Sequence, residues 1–566
     1  MSNFSVSPGA YVREVDLTTR VQATSTSIGA IVIQSPRGRT DKAYLVTSRN
    51  EFLNMFGTPH PKYGTAGYAA LKFLEQSQRL WVKRVAKGAL HGGVIFSRVP
   101  YDDTGERISM LKPMIIGEAD PMKSLKMSDD MVFALVSIGP GDVQLNVLIE
   151  PNTKTEDGGF YVNIYEGANN EPSERYLVSL EMRTDGFGSQ MFIEQRINMR
   201  STLVRAIANW DYEEGLSDDL VDYGPMVTPR YPNGIHLCSF GGGLDSEPIS
   251  VENVADVALL TNAWDSFSDP EQMDVNILIN GGWTQTAVQL KMDQIAQNRK
   301  DCIAVLDVPS NIQHDINLIM SWRRGTNDVA LTQINTDMVG ANPITAPFDS
   351  SYSALYTPDV LVYDEFNAQQ IYLPPSGHVA GAYARTDKEK ALWFAPAGMD
   401  RGSLNVLGVR KVYNHGHREA LTEIQVNTIR VIPNHGIKIW GDMTAQSRAS
   451  ILSNVGVRRL MCYLEKSLSI SLLYSVFDPT DNILRGTIRA MCEEFLRPLL
   501  GARALRKFEV VCDERNNGPA DEDAGILNVD VYLTPIGSTK IIKLNCVLTK
   551  SGAEFGEMIA ANAAAG

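Results

Sequence analysis

Several features that would mark a particular class of protein are missing from this sequence of 566 residues. It has only six cysteines, with no Cys-x-x-Cys pair, which argues against a disulfide framework and against a zinc ribbon. No apolar run approaches the roughly 18 to 20 residues of a bilayer-spanning helix, and the first residues lack the basic and apolar regions of a signal peptide. We therefore expect a soluble, unsecreted protein that is not inserted in a membrane.

Motifs of catalysis and of phosphate binding are also missing. The sequence contains no Gly-x-Ser-x-Gly and no His-Glu-x-x-His. The glycines at 241–243 lie near a predicted strand but lack the Gly-Lys-Ser/Thr ending that places a lysine and a hydroxyl at a phosphate. A flexible loop is the better interpretation of these glycines, and the sequence predicts neither an enzyme nor a catalytic residue.

Two segments have some of the residues of a metal site, but each is incomplete. His415, His417 and the distant His435 offer only one plausible pair of ligands, whereas a zinc site needs three or four. Segment 513–524 (DERNNGPADEDA) opens like a calcium loop, but Arg515 stands where a carboxylate ligand belongs. We therefore predict neither a metal nor a cofactor.

Charge is distributed unevenly along the chain. Residues 1–100 carry 13 Lys and Arg against 5 Asp and Glu, a net charge of +8, while residues 101–230 carry 11 against 23, a net charge of −12. The acidic segment is easiest to tolerate on a solvated outer unit, and the basic segment favours an acidic neighbour. Because the basic residues are dispersed, with no arginine-rich run interleaved with aromatics, we favour a protein neighbour over nucleic acid.

Hydrophobic periodicity predicts a multidomain protein of the α/β, or mixed α+β, class. The near-continuous apolar strand at 302–307 follows a predicted helix at 287–297, which is typical of a parallel sheet buried on both faces. Further predicted elements are strands at 80–85, 160–166, 507–512 and 527–534 and helices at 447–453, 457–474 and 482–500. The predicted units are an N-terminal arm strand (1–20), a discontinuous α/β domain (21–100 with 235–374), an inserted β-rich outer domain (101–234) and a C-terminal core domain (375–566) ending in an arm strand (about 538–549).

Both ends of the chain contain a short strand-like segment with no obvious hairpin partner. The side chains of these predicted arms are Tyr11, Val12, Arg13, Val15 and Leu17 at one end and Ile542, Leu544, Cys546 and Leu548 at the other. A short unpaired strand is not stable alone, so each arm pairs either within its own subunit or with the sheet of a neighbour. Segments 20–25 and 535–538, with small or turn-forming residues just inside the arms, are candidate hinges.

Many short segments, in order along the chain, resemble the contractile tail sheath proteins of myovirus-type bacteriophages and related contractile injection particles. They include 7–14 (SPGAYVRE), 80–85 (LWVKRV), 304–309 (AVLDVP), 374–387 (PPSGHVAGAYARTD), 394–398 (FAPAG), 477–479 (FDP) and 511–514 (VCDE). The resemblance covers almost the whole chain and is weakest in the insertion.

This resemblance implies a structural subunit that forms homo-hexameric rings stacked helically around a tail tube. Such a sheath contracts to drive the tube through the host cell envelope for genome delivery. The implied partners are other copies of the chain, the tail tube protein, and the baseplate and tail terminator proteins, without direct nucleic-acid binding. The implied location is the virion tail, assembled in the host cytoplasm. The alternative is the sheath of a phage-derived contractile bacteriocin or secretion device that lacks a genome.

The resemblance also assigns roles to parts of the chain. The two arms would reach neighbouring subunits and complete a small sheet in the C-terminal domain, which would lie innermost against the tube. Four arginines on predicted helices could then face the tube: Arg458, Arg459, Arg489 and Arg497. A solvated helix face or an internal ion pair is the alternative for each. The residues alone also leave open a nucleic-acid-binding particle component and an unrecognised hydrolase.

Overall fold

The computed structural model describes residues 26–98, 109–116, 131–141, 144–152, 158–167, 169, 171–212, 215–218, 238–250, 253–324, 349–479, 481–518, 520–521 and 524–540. The helices in these ranges are α1 (Arg49–Phe56), α2 (Ala66–Leu74), α3 (Ile193–Arg200), α4 (Val254–Asp265), α5 (Thr286–Arg299), α6 (Ile316–Arg324), α7 (Ser376–Glu389), α8 (His415–Glu423), α9 (Val455–Leu472) and α10 (Asn482–Gly501). None of them combines the length and the apolar character needed to cross a bilayer.

The strands in the same ranges form several sheets. They are β1 (Gly29–Gln34), β2 (Tyr44–Val46), β3 (Leu80–Val85), β4 (His91–Arg98), β5 (Ser109–Ile116), β6 (Met131–Ser137), β7 (Leu145–Pro151), β8 (Phe160–Glu166), β9 (Glu174–Val178), β10 (Val204–Ala208), β11 (Cys238–Ser239), β12 (Ile277–Ile279), β13 (Ile303–Asp307), β14 (Ser353–Thr357), β15 (Val360–Asp364), β16 (Gln369–Leu373), β17 (Ser403–Leu404), β18 (Gly408–Val409), β19 (Val426–Ile432), β20 (Gly436–Trp440), β21 (Leu505–Val511) and β22 (Asp530–Pro535). Helices and several sheets together confirm the predicted mixed class.

A nine-stranded sheet organises the centre of the protein, in the order β17-β20-β19-β14-β13-β12-β1-β3-β2. The six strands from β19 to β3 run parallel, and antiparallel strands close both edges. Every residue of β1, β13 and β14 is buried, so both faces of the sheet are covered, which explains their near-continuous apolar sequences. The helix pairs α2–α7 and α4–α5 contribute to this cover. A side chain at Gly377 would lie 2.5 Å from the Cα of Ala69, so glycine permits the close approach of α2 and α7.

The inserted domain consists of two four-stranded antiparallel sheets that share one apolar core. The first has the order β10-β6-β4-β5, and the second has the order β11-β7-β8-β9. The chain enters and leaves through a narrow neck, in which Leu90 pairs with Leu244 and Gly93 pairs with Gly241. Because β4 and β11 belong to these sheets, the insertion extends from about residue 90 to about residue 244 and is wider than the predicted 101–234.

The central sheet continues well past the predicted domain boundary at residue 374. Strands β17, β19 and β20 all belong to it, and α7 packs against α2, so the central domain reaches at least Trp440. Local periodicity shows where a strand lies but not which sheet it joins, and this is why the boundary was placed too early. The C-terminal unit has an apolar core of its own, built mainly from α9, α10, β21 and β22.

Candidate inter-subunit interface

The C-terminal unit is built around two long helices that share an apolar core. Leu460 and Leu464 of α9 lie four residues apart, on the same face, and pack in the core that includes Ile488 and Cys492 of α10. Asp481 begins α10, since its carboxylate accepts a hydrogen bond of 2.7 Å from the backbone N–H of Leu484. The short sheet described next packs against these two helices in the same core.

That sheet has only two strands. In it, β21 pairs antiparallel with β22, with Phe508 opposite Leu533 and Val510 opposite Val531. Val531 and Leu533 are half-buried and pack against the C-terminal core, while Tyr532 points outward and is 61% exposed. Within the described ranges neither strand pairs with a third one, so both outer edges present backbone groups that another strand could bind. These open edges make the sheet a candidate acceptor for added strands.

The turn between α9 and α10 exposes a group of apolar side chains, which we call the helix-turn patch. Its members and their exposed fractions are Leu473 (67%), Tyr474 (71%), Val476 (52%), Phe477 (101%) and Ile483 (78%). Phe477 has a φ of 75°, a left-handed conformation that bulky residues rarely adopt. Groups of exposed apolar side chains mark interaction sites in other proteins.

The sequence interpretation missed this patch, although a signal was present. Segment 470–477 (ISLLYSVF) contains more apolar residues than the buried face of one helix can use. The predicted helix at 457–474 included residues 470–474 of that segment, so these residues were assigned to a buried helix face. In the structure, α9 ends at Leu472 and the remaining apolar residues turn outward.

The predicted arm residues lie outside the described ranges, as does candidate hinge 20–25. Segment 535–538, the other candidate hinge, is held on the body of the subunit. The backbone N–H of Ile536 donates to the carbonyl oxygen of Ala504 at 3.1 Å, and Ser538 Oγ donates to Asp442 Oδ2 at 2.7 Å. This segment is thus a docked stretch of chain rather than a free hinge.

The four arginines proposed to face the tube divide into two pairs. Arg458 and Arg459 are each only 6% exposed, so the structure places neither at a tube-facing surface or on a solvated helix face, and the alternative of an internal ion pair holds for Arg459. Arg458 donates to Ser351 Oγ at 2.6 Å, and Arg459 forms a 2.6 Å ion pair with Asp387. They lie on the side of α9 that packs against the central domain, a placement that helical spacing alone does not reveal.

Arg489 and Arg497 lie on α10 with exposed side chains. Arg489 forms an ion pair of 2.9 Å with Glu493, one turn further along the helix. A surface pair of this kind contributes little to stability. Both arginines are therefore positioned to contact a partner, and tube contact by them stays a prediction.

The segments considered for phosphate and metal binding have structural roles. A side chain at Gly243 would lie 2.3 Å from the carbonyl oxygen of Gly141, so the glycine loop lets two chain segments approach at the neck. His415 pairs with Glu419 on the exposed surface of α8. Hydrogen bonds from the Arg515 side chain lower the pKa of Asp513 to about 2. In the described part of the chain, no cluster of three or more His, Cys, Asp or Glu side chains could hold a metal ion.

Comparison with known proteins gives consistent matches. The family model of the phage tail sheath protein central domain matches residues 253–445, and that of the phage tail sheath C-terminal domain matches residues 448–549, together more than half of the chain. The tail sheath protein of Vibrio phage KVP40 is 26% identical over 448 residues, which are 74% of this chain and 61% of that protein. The tail sheath protein of Enterobacteria phage T4 is 27% identical over 353 residues, which are 60% of this chain and 51% of that protein.

The fold is also similar to that of solved structures. A chain of the sheath complex of an extracellular contractile injection system, PVC, in its contracted state matches with a TM-score of 0.51 and 14% identity, covering 97% of this chain and 99% of that chain. The chain spans less than two thirds of the length of either phage relative. With both of its central and C-terminal units matched in order, the chain belongs to the family of phage tail sheath proteins.

Proposed function

We propose that this protein is the structural subunit of a contractile tail sheath, in which copies of the chain polymerise as stacked hexameric rings around a tail tube. Contraction of the sheath drives the tube through the host cell envelope for genome delivery. The observation that carries this proposal is the two-stranded sheet of β21 and β22, both of whose outer edges are open among the described residues. The arms predicted at 1–20 and at about 538–549 are the strands that would complete it in neighbouring subunits.

The energetics of such strand exchange suit a reversible mechanical assembly. About six ladder hydrogen bonds at roughly 0.5 to 1.5 kcal/mol each give on the order of 3 to 9 kcal/mol per arm, before the entropy of ordering is subtracted. One such link is modest, but repetition along a sheath makes the lattice cohesive. The subunit bodies can then exchange one set of contacts for a larger one while the links persist. The work comes from interface free energy, without catalysis or nucleotide hydrolysis.

The helix-turn patch supports a second contact, with the tail tube. A tube is a protein surface, and an exposed apolar patch, with the exposed Arg489 further along α10, suits such a partner better than it suits a nucleic acid. The innermost position implied for the C-terminal domain would bring this surface to the tube. Baseplate and tail terminator proteins would contact the two ends of the sheath.

The phage tail is favoured over a device without a genome because the curated relatives described above are phage tail sheath proteins. The virion tail, assembled in the host cytoplasm, is the corresponding location. A capsid gene next to the gene for this chain would support this assignment. Neighbouring genes for a toxin or secretion particle without a capsid would support the alternative.

Deletion of residues 1–17 tests the strand exchange. We expect the shortened protein to fold as a monomer, because the described residues from Ala30 onward form extensive apolar cores with one another, and to form no long tubes in negative-stain electron microscopy. A matched control deletes residues 550–566, which lie beyond the C-terminal family match and should leave assembly intact. Sheaths of normal length from the 1–17 deletion would refute the proposal.

A further inference from the structure

Two serines near the ends of the described chain donate hydrogen bonds to buried aspartates. Ser27 Oγ donates to Asp387 Oδ2 at 3.0 Å, and Ser538 Oγ donates to Asp442 Oδ2 at 2.7 Å. Asp387 lies near the end of α7, and Asp442 follows β20. The predicted arms lie just outside these serines, at residues 1–20 and beyond about residue 538. Each aspartate therefore holds the chain close to the start of an arm.

The two aspartates belong to one buried cluster. Arg459 forms an ion pair of 2.6 Å with Asp387, in which the side chains are only 5% and 3% exposed. The guanidinium of Arg459 lies 4.9 Å from the ring centroid of Tyr383. The hydroxyls of Tyr383 and Tyr356 share a hydrogen bond of 2.7 Å, and both tyrosines are fully buried. These contacts form a continuous path from the ion pair into the central sheet.

The other end of the path reaches Asp442. Asn427 lies beside Tyr356 in the parallel pairing of β14 with β19, and its side-chain amide exchanges hydrogen bonds of 2.7 and 2.9 Å with the backbone of Met443, the residue that follows Asp442. Asp442 also accepts a hydrogen bond of 3.3 Å from the backbone N–H of Gly456, in the first turn of α9. Since Arg459 lies one turn further along α9, that helix contacts both aspartates.

We propose that this group of side chains is a shared anchor for both arms. The anchor cluster comprises Tyr356, Tyr383, Asp387, Asp442 and Arg459. It sets the two points at which the arms begin, and a displacement of one point is transmitted to the other through the buried side chains. Arg459 and Tyr383 are positioning residues in this arrangement. The proposal rests on the proposed function, because the arms matter mechanically only if they link subunits.

The anchor has a physical basis in burial. Charged and polar groups held in a low-dielectric interior interact strongly and tolerate few alternative arrangements. Asp387 Oδ2 accepts hydrogen bonds from both Ser27 and Arg459. A movement of the guanidinium therefore shifts the oxygen to which Ser27 is bound. A solvated hinge would transmit no such displacement, because water would replace each lost contact.

Hydrogen exchange of the soluble monomer tests the coupling. Tyr383→Phe removes the hydroxyl in the middle of the path without touching Ser27 or Ser538. We expect amide exchange to accelerate about tenfold, equivalent to about 1.4 kcal/mol, in both segment 26–30 and segment 536–540. Ser538→Ala, which removes only the last contact, should accelerate exchange mainly in segment 536–540.

Tyr413→Phe is the matched control, because Tyr413 is also buried and its hydroxyl also hydrogen-bonds, to Thr357 at 3.1 Å. It should leave both terminal segments unchanged. The coupling is wrong if Tyr383→Phe accelerates exchange in neither segment or in only one, or if Tyr413→Phe affects both equally. Because this measurement uses the monomer, its failure is distinct from failure of the strand exchange, which the 1–17 deletion tests.

Discussion

Arg84 is expected to hold the inserted domain in place on the central domain. Its side chain is only 1% exposed and donates five hydrogen bonds, all to backbone carbonyl oxygens. Ser35 accepts two of them, at 3.0 and 2.9 Å, and Pro36 and Gly38 accept one each. The fifth, of 2.8 Å, goes to Pro140 in the inserted domain. One guanidinium thus joins two domains.

Replacement of Arg84 by methionine should be strongly destabilising. It leaves several buried carbonyl oxygens without donors, at about 1 to 3 kcal/mol each. Part of this loss is offset, because burial of the cation is itself unfavourable and lowers the pKa of Arg84 to about 10. We expect a net decrease in the free energy of unfolding of about 2 to 5 kcal/mol. Lysine has three N–H donors instead of five, so the free energy of unfolding of Arg84→Lys should lie between those of the original protein and of Arg84→Met.

Urea denaturation measures this loss, and limited proteolysis at residues 139–141 shows whether the neck opens. Arg79→Met is the control, because Arg79 lies on the same stretch of chain with an exposed side chain. An Arg84→Met protein within about 1 kcal/mol of the original, with unchanged proteolysis, would refute the argument, because several carbonyls cannot lose their donors at so small a cost.

Three further predictions follow from individual side chains. Phe477→Ser should change the free energy of unfolding by no more than about 0.5 kcal/mol but weaken co-sedimentation with the tail tube. Phe187 lies in the insertion and is 98% exposed, so Phe187→Ser is the control and should not weaken co-sedimentation. Charge reversal of both Arg489 and Arg497 should also weaken tube binding, most strongly at low salt, and binding that is indifferent to the reversal would exclude contact at these arginines. Burial raises the pKa of Asp307 to about 7, above the 3.8 of the unfolded chain, so the folded state holds a proton that the unfolded state loses. This contribution to stability is present below about pH 4 and is lost as the pH rises to about 7, by at most roughly 1.4 kcal/mol per pH unit. The urea midpoints measured at pH 5 and at pH 7.5 should therefore differ less for Asp307→Asn than for the original protein.

Local structure was predictable wherever the apolar pattern was strong. The predicted strands at 80–85 and 160–166 coincide with β3 and β8, and the predicted helix at 482–500 differs from α10 by one residue. The predicted helix at 447–453 is wrong, since only a short 3-10 turn forms at Ile451–Ser453. That segment has apolar residues at helical spacing, but the serine at 450 caps a single turn and the chain then becomes extended at Asn454.

The candidate interface was predictable only in part. The order of short segments along the chain identified the family. The burial of Arg458 and Arg459 was not accessible, because a charged helix face looks the same in sequence whether it meets solvent or an aspartate from a distant helix. The helix-turn patch was missed for the converse reason, since apolar residues are assigned to a core by default.

The sequence alone determined the class of the fold, the positions of most strands and helices, and the family, because each depends on patterns of neighbouring residues. The tertiary structure decided which strands share a sheet, where the insertion begins, and which charged side chains are enclosed. These properties depend on contacts between residues far apart in the chain, such as Ser27 with Asp387 or Arg84 with Pro140. Such pairs have no local signature, since either partner would look solvated in its own segment.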